Sequence, residues 1–128
     1  MNTASTPLEG TKLKDFKPLQ AVDTLEILDI VTGGGEEVPR GATITAHYTG
    51  ALCSDGTIFQ SSHDFGNPAT FGLHQVIKGW TDGVPGMKIG GTRRLIIPAA
   101  QAYGANSPST NIPPNSDLVF DIELVDIQ

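Results

Sequence analysis

Cysteine occurs once, at Cys53. That excludes an internal disulfide and every metal site built on several thiolates. Positive charge is scarce too. Eight Lys and Arg against 14 Asp and Glu give a formal charge of −6, and the cations are scattered apart from Lys12, Lys14 and Lys17 and the pair Arg93-Arg94. A chain with this balance repels phosphate backbones, so nucleic acid is not an expected partner. No apolar run reaches the roughly 18 residues a membrane-spanning helix needs. No basic-then-apolar leader opens the sequence, which reads as cytoplasmic, or as extracytoplasmic had a leader been trimmed. Histidine is limited to His47, His63 and His74, with no pair at helical metal-ligand spacing, and no cofactor is expected. No serine sits in a glycine-framed nucleophile elbow. The glycines of Gly33-Gly34-Gly35 lack the lysine and helix of a phosphate loop, and Cys53 has no positive group nearby in sequence to activate it.

What is present suits a strand-and-loop protein with one core. The 128 residues include 15 Gly and 9 Pro, and a chain of this length buries one core, not two. Residues 1–22 are polar, broken by Pro7, Gly10 and Pro18, and read as an N-terminal extension, partly disordered or loosely docked through Leu13, Phe16 and Leu19. The domain proper is expected over residues 23–128.

The apolar, β-branched run from Thr24 to Val31 is halted by three glycines after eight residues and predicts a strand. From Thr43 to Leu52, Ile44, Ala46 and Tyr48 alternate with Thr45, His47 and Thr49, as in a half-buried antiparallel strand. Asp55-Gly56 marks a hairpin turn returning through Ile58 and Phe59. Ser61 to Pro68 reads as a polar loop and Thr70 to Leu73 as a short strand. A short helical turn ends near Pro85, Thr92 to Ile97 is a strand, and the last strand puts Leu118, Phe120, Ile122 and Leu124 on one face. The expected class is α+β, a curved antiparallel sheet over one short helix.

The stretch Val76-Ile77-Lys78-Gly79-Trp80 holds the only tryptophan. Its indole is a large apolar plate whose N–H wants a partner when buried, so Trp80 either fills the core or floors a cavity. Tyr48, Phe59, Phe71, Tyr103, Ile112 and Phe120 are its candidate company. Tyr103, in a loop of small residues beside Gly104, is placed to touch a ligand.

These residues resemble the FKBP-type peptidyl-prolyl cis-trans isomerases. His47-Tyr48-Thr49-Gly50, the Asp55-Gly56 to Phe59-Gln60-Ser61-Ser62 hairpin, Val76 to Trp80, Ala102-Tyr103-Gly104, Ile112-Pro113-Pro114-Asn115 and Leu118 to Leu124 occur in that family's order and near its spacing, across about residues 24 to 128. The Pro68 to Leu73 approach is more similar to bacterial members. The resemblance implies a rotamase that assists protein folding, chaperone-like, with a pocket between sheet and helix. Its floor would be Trp80, its walls Tyr48, Phe59, Phe71, Val76, Ile77 and Phe120, and its rim Ile112. The Ile77 N–H and the Tyr103 hydroxyl would be its donors. Expected partners are proline-containing peptides and unfolded or partly folded proteins, and the protein is expected to be a monomer.

Three departures bear on activity. Gln60 stands where most active members have Asp, and Phe65 where the prototype has the arginine that pairs with it, so a buried ion pair is expected to be lost at both ends together. Asn111 stands where an apolar rim residue is usual. Macrolides of the tacrolimus and rapamycin class are therefore expected to bind weakly. Two readings follow, an active isomerase and a binding module that recognises proline-containing partners with little turnover.

Overall fold

The computed structural model describes residues 8, 10–19, 21–106 and 112–128. Among the described residues six strands and one α-helix, besides two short 3₁₀ turns, follow in the order β1 (Glu26–Val31), β2 (Thr43–Leu52), β3 (Ile58–Ser61), β4 (Ala69–Gly72), α1 (Lys78–Gly83), β5 (Thr92–Ile97) and β6 (Leu118–Ile127). The pairings are all antiparallel, in the spatial order β1-β5-β6-β2-β3, with β4 also on β2. The curved sheet with one short helix matches the sequence expectation.

β2 and β6 form the spine, in register from Ile44↔Ile127 to Leu52↔Leu118 with one slip at Thr45/Ala46. Alternation along β2 sends Ile44 and Ala46 inward to meet Leu95, Ile97, Leu118 and Ile122. On its other side β2 is shared: β3 takes residues 49–51 and β4 takes residues 43–46. The gap falls at His47 and Tyr48. There the buried Ser62 hydroxyl, on a 3₁₀ turn within the predicted polar loop, stands in for a strand. It accepts from the Tyr48 N–H at 2.8 Å and lies 3.3 Å from the Tyr48 carbonyl.

α1 rests on β5 through two glycines. A Cβ at Gly79 would lie 2.6 Å from the Ile97 side chain, and one at Gly83 would lie 2.7 Å from Leu95. Their absence lets the helix sink until Trp80 and Val84 join the core.

A second cluster lies apart from the main core, where Val22, Ala51, Cys53, Ile58, Ile96 and Val119 are covered by Leu8, Leu13, Phe16 and Leu19. The extension here is laid down by the Gly10 N–H on the Ile58 carbonyl, the Leu13 N–H on the Gly56 carbonyl and the Leu19 N–H on the Cys53 carbonyl. Three features go beyond the sequence reading. β1 is exposed along its length despite its apolar sequence, and it ends the sheet order beside β5. Gln60 is exposed and Phe65 is 67% exposed, so that site is open to water and no buried pair is in question. Cys53, beside a turn, is fully buried.

Candidate active site

Segments distant in sequence converge on one cavity between the sheet and α1. Tyr48 comes from β2, Phe59 and Gln60 from β3, Phe71 from β4, and Gln75, Val76 and Ile77 from the turn into α1. Trp80 comes from α1, Tyr103 from the loop after β5, and Phe120 from β6. The cavity volume is about 430 Å³, inside the range of about 300–1,000 Å³ common for ligand pockets. The rings therefore leave room for a guest.

Three rings meet Trp80 edge to face: Phe71 at 4.9 Å between centroids, Phe120 at 5.3 Å and Tyr48 at 5.8 Å. Phe59 meets Phe120 the same way at 5.7 Å. Each edge-to-face pair adds about 0.5–1.5 kcal/mol beyond area burial. Together they hold a rigid apolar wall, with Trp80 only 4% exposed. Its Nε1–H is buried with no hydrogen-bond partner among the described residues. Gly50 is what lets Phe59 and Phe120 meet, since a Cβ there would lie 2.6 Å from one ring and 2.7 Å from the other.

Among the described residues no lining residue is charged. Burial pushes the Tyr48 hydroxyl above its ordinary pKa, with a smaller push from Tyr103, and burial raises Tyr103 likewise. Both remain neutral donors at neutral pH. Among the described residues neither hydroxyl has a hydrogen-bond partner, and the Ile77 N–H has none either, because Ile77 is the residue just before the first turn of α1. Among the described residues the cavity thus offers apolar walls and unpaired donors, without an acid, a base or a nucleophile.

The structure brings together Tyr48, Phe59, Gln60, Phe71, Val76, Ile77, Trp80, Tyr103 and Phe120, all expected from the sequence. Ile112, expected at the rim, is 5% exposed and belongs to the core cluster that also holds Phe59, Trp80 and Phe120, without being one of the described lining residues. Asn111 lies outside the described residues. Gln75 lines the cavity and was missed, since a polar side chain in a turn gives no periodic signal. The histidines hold a further surprise: His47 and His63 stack at 4.2 Å, tied to Ser62 on one side and Glu123 on the other.

Residues 34–125 match the family described as FKBP-type peptidyl-prolyl cis-trans isomerase. The chain is 49% identical over 90 residues to the peptidyl-prolyl cis-trans isomerase FPR2 of Saccharomyces cerevisiae, covering 69% of this chain and 67% of that one. It is 47% identical over 105 residues to an FK506-binding protein of Neisseria meningitidis serogroup B, covering 80% and 95%. The crystal structure of AtFKBP13 superposes with a TM-score of 0.73 at 42% identity, over 81% of this chain and 93% of the other. A likeness of that extent in sequence and in fold, around a ring-lined cavity without acid or base, makes the chain a member of the FKBP-type peptidyl-prolyl cis-trans isomerases.

Proposed function

We propose that the aromatic cavity is where X-Pro bonds are turned, with Tyr48, Phe59, Gln60, Ile77, Trp80, Tyr103 and Phe120 acting on the bound peptide. Rotation about a peptide bond loses resonance at a barrier of about 18–20 kcal/mol, and X-Pro bonds isomerise unaided over about tens to hundreds of seconds. Acceleration requires the twisted amide to be held better than either planar isomer. The planar amide draws on a charge-separated resonance form that a dry, uncharged wall disfavours, whereas the twisted amide has lost it. The proline ring sits on Trp80 between Phe71, Phe59 and Phe120. The Ile77 N–H and the Tyr103 hydroxyl donate to carbonyls flanking the turning bond.

The observation that carries this reading is a cavity with room to spare, no charge in its lining and donors left unpaired. Phe71, Val76 and Gln75 line the substrate's flanks. Gln60, exposed at the mouth, offers a neutral amide in place of a carboxylate and sets peptide preference. Partners are proline-containing peptides and unfolded or partly folded chains. Macrolides of the tacrolimus class bind in the same cavity, weakened by the uncharged Gln60.

The test is proton exchange spectroscopy on a short Leu-Pro or Phe-Pro peptide with and without the protein. Accelerated exchange that a macrolide suppresses is expected. Peptide binding to the cavity with no acceleration would assign it to recognition without turnover.

A further inference from the structure

β1 lies at one side of the sheet and pairs only with β5, so among the described residues the backbone groups along its outer side have no partner. The strand is apolar as well as open. Ile27, Leu28, Ile30 and Val31 are 46%, 46%, 53% and 51% exposed. An apolar edge of this kind pairs with another extended chain unless it is guarded. The guards here are few. β1 has no Lys or Pro. The Asp29 carboxylate is engaged by the buried Arg93 at 2.7 and 3.2 Å. A register slip between Asp29 and Val31 leaves Glu26 to Asp29 as the regular stretch. Four residues make a short ladder, suited to weak and reversible pairing.

Charge says what would pair there. Between residues 18 and 39 there is no Lys or Arg, while Asp23, Glu26, Asp29, Glu36 and Glu37 are all acidic, and of these Asp29 is already paired with Arg93. This one stretch thus carries five of the chain's 14 acidic residues and none of its 8 basic ones. A second copy would bring the same acidic strand to the same edge, and like charges across a strand pair are destabilising. An extended segment that alternates apolar residues with Lys or Arg meets both the exposed side chains and the field around them.

We propose that β1 is a docking edge for an extended apolar-and-basic segment of an unfolded polypeptide, which adds to the sheet as a further strand. No cavity-lining residue lies on β1 or β5. Holding the client and turning its prolyl bonds are therefore separate acts on separate surfaces. The segment held on β1 needs no proline, and its binding does not depend on the turnover proposed for the cavity.

The experiment uses the full chain and two labelled, proline-free peptides, one alternating Val with Lys and one alternating Val with Glu, followed by fluorescence anisotropy and by backbone amide shifts. The Lys peptide is expected to bind, to shift amides of residues 26–31, and to weaken as salt is added. The Glu peptide is expected not to bind. In L28Q/I30Q, which removes apolar surface and leaves charge unchanged, and separately in E26Q/E36Q/E37Q, affinity for the Lys peptide is expected to fall about tenfold or more. Isomerisation of a short Leu-Pro peptide stays at the wild-type rate in both, which also shows that they fold. Equal binding of the two peptides, or unaltered binding in L28Q/I30Q, would overturn the proposal. So would sedimentation showing a wild-type dimer that L28Q/I30Q dissociates, since that assigns the edge to a second copy.

Discussion

The Arg94 guanidinium stands 5.7 Å over the centre of the Phe16 ring. It also grips Asp121 through Nε at 2.6 Å and Nη2 at 2.8 Å, and donates to the carbonyls of Asp15 at 2.7 Å and Lys14 at 3.1 Å. One buried side chain thus ties the N-terminal segment to β5 and β6. Removing Arg94 leaves Asp121 without its counter-ion and the segment without its anchor, whereas removing Phe16 forfeits a cation–π contact worth about 0.5–1 kcal/mol and some buried area. Arg94→Met is expected to cost about 3 kcal/mol, in the range for breaking a buried pair. Phe16→Ala should cost about half as much by the same comparison. Urea titration measures both, and limited proteolysis should cut between residues 10 and 19 faster in Arg94→Met.

Ser62 is the residue through which the outer turn reaches the cavity. Its hydroxyl serves the Tyr48 backbone where neither β3 nor β4 does, and Tyr48 is a cavity wall. Ser62→Ala leaves a Tyr48 N–H without a partner, at a cost of about 1–3 kcal/mol. Because the displaced backbone bears Tyr48, activity on a Leu-Pro peptide is expected to fall by more than that of an equally destabilised core variant such as Ile44→Val. Equal losses would mean that Ser62 serves only the fold.

Gly50 makes a different demand. In β2 its conformation suits any residue, yet a methyl there would overlap both Phe59 and Phe120. Overpacking of this kind costs about 1–3 kcal/mol as the rings shift. Gly50→Ala is expected to fold, melt at lower temperature and bind macrolide and peptide more weakly, because the rings it displaces are two of the cavity walls. Calorimetry and peptide titration on the one variant read both effects.

Trp80 and Tyr103 separate floor from donor. Trp80→Ala removes the ring that Tyr48, Phe71 and Phe120 all contact, at about 3–5 kcal/mol of stability and with most of the turnover. Trp80→Phe keeps an aromatic floor and discards the unpaired buried Nε1–H, so it should retain more of both. Tyr103→Phe leaves the wall in place and removes one hydroxyl donor, which predicts a loss of about tenfold or less, the worth of one hydrogen bond. Inverse ordering, with Tyr103→Phe the more damaging, would shift the mechanism from environment to hydrogen bonding.

Much of this was legible beforehand, for reasons that show where the reading stops. Alternation marked β2 and β6 because one face of each meets a core, and Asp55-Gly56 marked the hairpin because Gly56 takes a φ of 76° that other residues resist. Nine of the ten cavity residues could be named, Gln60 among them, because the family resemblance pointed to their motifs; of these only Tyr103 stood out as a ring in a loop of small and polar residues. Gln75 could not, since nothing local distinguishes a cavity-facing amide from a solvated one. Ile112 is the opposite case: an apolar residue before two prolines reads the same at a rim as in a core. β1 carried a core-like sequence and yet lies exposed, which no local pattern announces. The pairing of Arg94 with a segment 79 residues away is likewise invisible to any local pattern.

Cys53 supplies a reporter for the whole. Its thiol is fully buried and pushed up to about 12, chiefly by burial and then by Asp117 and Glu26. The folded chain therefore holds that proton more tightly than the unfolded one, whose thiol titrates near 9.0. The contribution is intact below the unfolded value and is lost as pH rises towards the folded one. Tyr48 and Tyr103, also raised, add loss of the same sign above 10.0. Stability by urea titration should thus hold steady from neutral pH to about 9 and then decline, and Cys53→Ala should decline less steeply over that interval. Since the thiolate is the reactive form, iodoacetamide at about pH 8 should leave the native protein unlabelled and modify Cys53 only at the rate of opening. Fast labelling of the native chain, with the alkaline decline unchanged in Cys53→Ala, would remove the thiol from both accounts.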